Sequence, residues 1–320
     1  MGIRDVFIKK FYNNNATRTA FKYYVGAWTT VTSWVPIGTN IYDLDWDVLI
    51  LLDTCRVDAL EQVAPEYDFI PDKIDSIVSI GSTSNEWMAN TFVTDYIDQV
   101  NETAYISANG YSSRVFEDRL YPEIHMGGKH QPPAWPKDKI CYPKDFYNLD
   151  QVWRYAPQDS PGHTLPEYVL DRTVAHYRNT GAEKLVAHFN QPHAPYIATA
   201  LEQDRDLHKH EKLPFEALRN GESKSKVWDA YLDNLRMVLD QVAILLENIS
   251  ADKVAISADH GEAFGEWGMY GHLPGMLHPH VKRVPWVVTS ASATGNYTST
   301  LEPEETDRDT EEHLRALGYK

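Results

Sequence analysis

The sequence predicts an α/β protein in which a large, mainly parallel sheet lies between two layers of helices. Short apolar segments of strand length recur along the chain, and three of them are almost continuously hydrophobic, as in strands covered on both faces. Helical stretches lie between these segments, and such an alternation favours a parallel sheet sandwiched by helices. The predicted strands span residues 47–53, 76–80, 103–109, 184–190, 253–259 and 284–290.

Three segments have helical patterns. Residues 166–181 begin with Pro166 and end with Gly181, which are typical of the first turn and the end of a helix. Residues 310–319 predict a short helix near the C-terminus, capped by Thr310. The longest helix is predicted over residues 226–249, where one apolar stripe comprises Val227, Tyr231, Leu235, Val238, Val242 and Leu245.

The chain divides into three parts by composition. Residues 1–45 form a basic and aromatic arm, residues 46–293 a single α/β catalytic domain, and residues 294–320 a linker and a helix packed on that domain. Two irregular stretches rich in Pro, Gly, Trp and His, residues 111–165 and 199–222, predict long surface loops over the site. Long loops in compact domains are usually functional or mobile.

Length and charge bound the class of protein. The chain has 320 residues, of which 42% are hydrophobic, enough for a full core. Its formal net charge of −16 argues against general nucleic-acid binding, which requires a basic face. The sequence does not indicate an oligomeric state.

The two cysteines, Cys55 and Cys141, are too few for a disulfide framework, which favours a reducing, cytoplasmic compartment. No apolar segment reaches the roughly 18 residues of a membrane span, and the first residues lack a signal-peptide core. The basic arm leaves two alternatives open. It packs on its own acidic domain, or it makes a peripheral contact with an anionic membrane.

Polar side chains follow three of the predicted strands. Asp53 ends the first strand, His193 follows the fourth, and Asp259 and His260 end the fifth. Because the carboxyl ends of parallel strands meet at one sheet edge, where ligands bind, these groups are expected to converge. Two carboxylates and one imidazole suit a divalent cation, so Asp53, Asp259 and His260 are the predicted metal ligands. Taken alone, His260 is better interpreted as a buried core histidine, and the other strand-end residues together favour its interpretation as a ligand.

A hydroxyl-rich turn precedes another helical segment, in "SIGSTSNEWMANTF". Ser82, Thr83 and Ser84 lie where a strand passes into a helix. The free N–H groups and the dipole of a helix N-terminus favour an anion there. The alternative is that one of these hydroxyls only caps the helix.

Several motifs together resemble the sulfatase branch of the alkaline phosphatase superfamily, over about residues 46–320. These are "LLDTCRVDAL", "GSTSNEWMANTF", "NQPHAPY", "SADHGEAFGEWGMYGH", "RVPWVV" and "HLRALGYK". The resemblance implies an alkaline-phosphatase-like, three-layer α/β/α fold. It also implies that Thr83 is both nucleophile and metal ligand, with Ser82 left open as an alternative. His193 and His272 resemble the residues that hold anionic oxygens of the substrate or protonate the leaving group.

The sequence departs from the family pattern at the nucleophile. Common sulfatases convert Cys or Ser to formylglycine within Cys/Ser-x-Pro-x-Arg, but Asn85 and Trp87 replace the Pro and the Arg here. We therefore expect an unmodified hydroxyl. The segment "CYPKD" at Cys141 lacks the arginine too, since Asp145 occupies its place. Asn190 lies where a second metal would need an acid, which predicts one metal ion.

The resemblance implies a metal-dependent hydrolase or transferase acting on sulfate or phosphate esters of a small molecule, glycan or lipid. The cation would be Mn²⁺, Zn²⁺ or Mg²⁺, with Ca²⁺ left open, and an imidazole ligand favours Mn²⁺ or Zn²⁺ over Ca²⁺. Two alternatives stay open: a phosphoglycerol-transferase-like enzyme of surface-polymer or lipid assembly, and a non-catalytic binder of an anionic glycan or lipid headgroup.

Overall fold

The computed structural model describes residues 23, 27, 31, 35–119, 137–157, 164–303 and 309–316. Most of the predicted basic arm therefore lies outside the described residues. Within them, seven strands form one sheet in the order β2-β9-β6-β1-β5-β3-β4, and β7 and β8 form a separate ribbon. The strands are β1 (Val48–Leu52), β2 (Asp75–Val78), β3 (Thr103–Ser107), β4 (Asn148–Gln151), β5 (Lys184–Phe189), β6 (Ala251–Ser257), β7 (Ala263–Phe264), β8 (Tyr270–Gly271) and β9 (Arg283–Ala291).

The sheet is mainly parallel and is covered on both faces. Strands β6, β1, β5, β3 and β4 run parallel to one another, and β9 runs antiparallel to both β6 and β2. All five residues of β1 are buried. Ile50 and Leu52 face one apolar cluster, and Leu49 and Leu51 face another on the opposite side. The predicted three-layer α/β/α fold with a mainly parallel sheet is confirmed.

The helices form the two outer layers. The long helix Lys224–Leu246 packs on helices Pro166–Asn179 and Val57–Val63 over one face of the sheet. Helices Ser84–Thr91 and Tyr111–Phe116 cover the other face. The helices are α1 (Val57–Val63), α2 (Ser84–Thr91), α3 (Ile97–Asn101), α4 (Tyr111–Phe116), α5 (Pro166–Asn179), α6 (Ala198–Glu202), α7 (Lys209–Lys212), α8 (Pro214–Arg219), α9 (Lys224–Leu246), α10 (Pro279–Lys282) and α11 (Thr310–Ala316). The predicted stripe of α9 is buried along its length.

The two stretches predicted as loops contain regular structure. Residues 111–165 include α4 and the edge strand β4, which pairs with β3, and residues 199–222 include α7, α8 and most of α6. The loop prediction was wrong there because β4 reads Asn-Leu-Asp-Gln, with too few apolar residues to show a strand pattern. Residues 120–136 and 158–163 of the first stretch lie outside the described residues.

The C-terminal part contacts the same α/β unit. Backbone N–H groups of Thr300 and Leu301 donate to the Asp171 carboxylate on α5. In α11, His313 stacks on Trp153 with ring centroids 5.0 Å apart. Among the described helices, none is both long and apolar enough to cross a bilayer.

Candidate functional site

The predicted metal ligands converge at the carboxyl edge of two adjacent strands. Asp53 follows β1, and Asp259 and His260 follow β6, which pairs with β1 up to Ser257 opposite Leu51. His260 Nε2 lies 3.7 Å from Asp53 Oδ1 and 3.5 Å from Asp259 Oδ2. The three side chains are buried. The structure therefore brings together the three groups that the sequence places at strand ends.

One oxygen of each carboxylate lacks a protein partner. Asp53 Oδ2 accepts a hydrogen bond from Asn109 Nδ2 at 3.0 Å, whereas Asp53 Oδ1 and Asp259 Oδ2 have no hydrogen-bond partner. Burial raises the pKa of Asp53 well above its ordinary value, and the nearby charges of Asp259 and Glu262 raise it further. Two buried carboxylates with free oxygens, beside an imidazole, are a donor set that fits a divalent cation.

The three consecutive hydroxyls have different surroundings. Thr83 is the N-cap of α2: its Oγ1 accepts from the Glu86 N–H and donates to Asn85 Oδ1 at 2.6 Å. Ser82 Oγ donates to Glu86 Oε2 at 2.5 Å. Ser82 Oγ also contacts the Leu273 carbonyl oxygen and accepts from the Met276 N–H. The structure thus places Thr83, predicted as nucleophile and metal ligand, in a capping role, and Ser82 in contact with the loop after β8.

Ser84 is the hydroxyl that faces the predicted ligands. Its Oγ lies 3.3 Å from Asp53 Oδ2 and 3.4 Å from His260 Nε2, and the residue is fully buried. Successive side chains at a helix start diverge by about 100° around the axis, so only one of two neighbours can point at the sheet edge. Sequence reasoning missed Ser84 because helix boundaries cannot be read to within one residue.

A second polar cluster adjoins the first. His193 lies between β5 and α6, Glu262 precedes β7, and His272 follows β8. One ligand atom from each lies within 4.8 Å of those of the other two. The rings of His260 and His272 have centroids 4.3 Å apart, so the two clusters are in direct contact through these rings. His193 and His272, predicted to contact the substrate, are therefore placed together, with Glu262, which lies outside the predicted catalytic set, as the third member.

Protonation states in the second cluster follow from its burial. Burial lowers the pKa of His193 and of His272 to about 4, and it raises the pKa of Glu262 to about 7. His272 Nδ1 lies 3.1 Å from Glu262 Oε1, close enough to share a proton. Near neutral pH the cluster therefore offers neutral imidazoles and an exchangeable carboxyl proton, which suits contacts to anionic ester oxygens.

Comparisons with known proteins give structural likenesses only. No family model and no curated protein match the chain. It is similar to the soluble domain of lipooligosaccharide phosphoethanolamine transferase A from Neisseria meningitidis, with 16% identity, 77% of this chain and 76% of that chain covered, and a TM-score of 0.48. It is also similar to the C-terminal periplasmic domain of phosphoethanolamine transferase EptC from Campylobacter jejuni, with 14% identity, 76% of this chain and 78% of that chain covered, and a TM-score of 0.38.

The 2-O GAG sulfatase BT1596 is a third similar structure, with 13% identity, 76% of this chain and 63% of that chain covered, and a TM-score of 0.38. The similar structures thus include transferases and a sulfatase. The fold assignment itself rests on the strand order and layers described above, and the site rests on its own geometry.

Proposed function

We propose that this protein is a metal-dependent enzyme that cleaves or transfers a phosphoric ester through Ser84. The observation that carries the proposal is the position of Ser84 Oγ, 3.3 Å from Asp53 and 3.4 Å from His260 at the start of α2. A hydroxyl nucleophile needs activation and an electrostatic partner for the developing charge. Both are available only if the neighbouring carboxylates and imidazole hold a cation.

Asp53, Asp259 and His260 would hold the cation, beside the Ser84 hydroxyl. When bound, a divalent ion supplies positive charge that favours the alkoxide and offsets charge on a non-bridging ester oxygen. An imidazole ligand favours Zn²⁺ or Mn²⁺. The free oxygens of Asp53 and Asp259 support this assignment, because buried carboxylates without partners are costly.

In the proposed reaction, Asp53 accepts the proton of the nucleophile, and the Glu262–His272 pair supplies a proton to the leaving group. Ser84 Oγ forms a bond to phosphorus while its proton passes to Asp53 Oδ2, at 3.3 Å, and the bond from phosphorus to the leaving oxygen breaks. The leaving oxygen takes a proton from the Glu262–His272 pair, whose atoms lie 3.1 Å apart. The Nε2–H group of His272, whose Nδ1 faces Glu262, donates to a remaining ester oxygen. His193 can donate through Nε2 only when its ring is protonated, because its Nδ1–H already donates to a neighbouring backbone carbonyl oxygen. Water or an acceptor hydroxyl then removes the phosphoryl group from Ser84.

The unmodified hydroxyl favours phosphorus over sulfur. Counted from Ser84, Glu86 and Met88 stand where the formylglycine motif has Pro and Arg, so we expect Ser84 to be unmodified and to have no geminal diol from which to expel sulfate. A serine phosphoester can be resolved by attack at phosphorus. The ester class we propose is therefore phosphoric, with a small molecule, a glycan or a lipid as the esterified alcohol.

Labelling at Ser84 tests this proposal. The wild-type protein with Mn²⁺ or Zn²⁺ is given p-nitrophenyl phosphate, its bis-ester and p-nitrophenyl sulfate, and intact mass is recorded after rapid quenching. We expect turnover of a phosphoester, with a trapped protein heavier by one phosphoryl group. Ser84→Ala should lose at least about 10³-fold in kcat, the order expected when a nucleophile is removed.

Thr83→Ser is the matched control, since it keeps a capping hydroxyl and changes the neighbouring position. It should retain most of the activity and the label. Activity and label kept in Ser84→Ala would assign the nucleophile to a neighbouring hydroxyl instead, and the position of the label would show whether it is Thr83. A wild-type protein that binds the esters but is as inert as Ser84→Ala with every cation would be a binding protein.

A further inference from the structure

A buried histidine outside the predicted ligand set faces the same cation site. His188 is the fifth residue of β5, which pairs with β1 on one side and with β3 on the other, and it is fully buried. Its ring packs edge-on against Trp87 and stacks on Tyr105. A histidine in the middle of an apolar, central strand is costly unless its ring nitrogens have partners.

The Nε2 atom of His188 has no hydrogen-bond partner. Asp53 Oδ1 and Asp259 Oδ2 have no hydrogen-bond partner either. One ligand atom from each of these three residues lies within 4.8 Å of those of the other two. The distance from His188 Nε2 to Asp259 Oδ2 is 3.6 Å, beyond a good hydrogen bond. Three buried atoms without partners therefore converge on one point.

We propose that His188 is a direct ligand of the same cation as Asp53, Asp259 and His260, and that Tyr105 is the positioning residue that orients it. This inference rests on the proposed function, since it adds a ligand to the proposed metal site. With Ser84 Oγ, the donor set would consist of two carboxylates, two imidazoles and one hydroxyl. Such a set favours Zn²⁺ or Mn²⁺ over Mg²⁺ and Ca²⁺, which prefer oxygen donors.

A hydrogen-bonded chain on β3 can set the tautomer of His188. His188 Nδ1 lies 2.7 Å from the Tyr105 hydroxyl, which interacts in turn with the Ser107 side chain. Ser107 Oγ donates to the Asn109 carbonyl oxygen, and Asn109 Nδ2 donates to Asp53. If His188 Nδ1–H donates to Tyr105, and Tyr105 O–H donates to Ser107, every proton has an acceptor and Nε2 keeps its lone pair.

This arrangement is the one that ligating histidines commonly adopt. The second ring nitrogen usually donates to a partner that holds the ring and the tautomer, and loss of that partner weakens metal binding about 10–100-fold. The opposite direction of the chain would place a proton on Nε2, and His188 would then only donate to Asp259. In that case it would lie outside the coordination sphere.

X-ray absorption on the protein loaded with one equivalent of Co²⁺ separates the two cases. We expect two imidazole ligands in the wild-type protein, from His188 and His260, and one in His188→Gln. Calorimetric titration with Zn²⁺ should show binding at least about 10-fold weaker in His188→Gln, and about 10-fold weaker in Tyr105→Phe with both imidazoles retained. Circular dichroism establishes that each variant is folded.

His176→Gln is the matched control, because His176 is also a buried histidine beside an aspartate, at 2.9 Å from Asp150, but lies on α5. It should bind Zn²⁺ like the wild type. A wild-type protein that binds one cation with a single imidazole overturns the assignment of His188, whether or not His188→Gln folds. A wild-type protein that binds no cation overturns the proposed metal site itself.

Discussion

At the scale of single residues, the adjacent hydroxyls of Thr83 and Ser84 have different contacts, because side chains one residue apart at a helix start point in different directions. Thr83 completes the N-terminus of α2, and Ser84 points at the sheet edge. Asp53 lies at the centre of this edge, and its buried carboxylate lies beside Asp259 and Ser84. The carboxylates of Asp53 and Asp259 therefore repel each other, and a bound cation would offset that repulsion.

We predict that Asp53→Asn stabilises the cation-free protein and abolishes its stabilisation by metal. The amide removes one of two buried like charges, and it can donate to Asp259 while accepting from Asn109. The expected gain in the free energy of unfolding is about 1–3 kcal/mol, the cost of a buried group without a partner. Thermal unfolding in EDTA, and with excess Zn²⁺, measures both effects.

Asp150→Asn is the comparison for this experiment. Asp150 is also buried, but Arg172 and His176 already pair with it at 2.9 Å each, so the substitution should destabilise the protein and leave the effect of Zn²⁺ intact. If Asp53→Asn lowers the stability of the cation-free protein as Asp150→Asn does, the repulsion that we infer at Asp53 is not present.

At the scale of elements, one ion-pair cluster ties the β7–β8 ribbon to two helices beneath the site. Glu266, beside the ribbon, contacts Arg56 at the start of α1 at 3.1 Å and Lys224 at the start of α9 at 2.8 Å. Arg56 also donates to the carbonyl oxygen of Glu262. The ribbon that carries His272 is thus held in position by partners on α1 and α9.

We predict that protonation of Glu266 in acid lowers the free energy of unfolding. Burial acts to raise its pKa, but the hydrogen bond from Lys224 and the charge of Arg56 outweigh burial and lower the pKa to about 2. Because the folded pKa is depressed, the carboxylate stabilises the protein above about pH 4.5, and this contribution is lost as the pH falls toward 2. The difference in the free energy of unfolding between wild type and Glu266→Gln should shrink over this range.

Urea titrations at pH 6 and near pH 3 measure this difference, with the exposed Glu202→Gln on α6 as control. A difference that is the same at both pH values would show that Glu266 does not act as a charged partner. The prediction concerns stability alone, so it is independent of the proposed reaction.

The packing of α9 gives a second prediction at this scale. Leu235 is fully buried between α9 and the sheet, whereas Leu201 on α6 is 41% exposed. We expect Leu235→Ala to cost about 2–5 kcal/mol, because it leaves a cavity in a packed core. Leu201→Ala should cost much less by the same urea titration. Equal losses at the two positions would mean that α9 does not pack on the sheet as described.

At the scale of the whole molecule, the cation would couple the site to global stability. The proposed ligands lie at the ends of β1 and β6, in β5 and at the start of α2, so a bound ion would join three strands to a helix on one face of the sheet. A ligand that binds only the folded state stabilises it by mass action, by about 2.7 kcal/mol at a hundred times its Kd.

We therefore predict that removal of metal lowers the thermal midpoint of the entire domain in one transition. The wild-type protein dialysed against EDTA should unfold several degrees below the protein in excess Zn²⁺, and readdition should restore the midpoint. Asp259→Asn should unfold at the same temperature in both buffers. A wild-type midpoint that is independent of Zn²⁺ up to millimolar concentrations would contradict a structural coupling of this kind.

Much of the fold could be predicted from the sequence because its signals are local. The residues of β1 are continuously apolar, and those of the α9 stripe are apolar at helical spacing, so the hydrophobic effect buries both whatever their neighbours are. The convergence of Asp53, Asp259 and His260 followed as well, since parallel strands end at one edge. Strand β4 could not be predicted, because its side chains are mostly polar and its hydrogen bonds depend on β3.

By itself the sequence determined the layers of the fold and the strand-end residues of the site. Only the tertiary structure decided which hydroxyl faces those residues, and that His188 and Glu262 lie beside them. The physical reason is that the spacing of residues along a chain specifies the element to which each belongs. The direction of a side chain at a helix start, or across a buried strand, depends on which other elements pack against it.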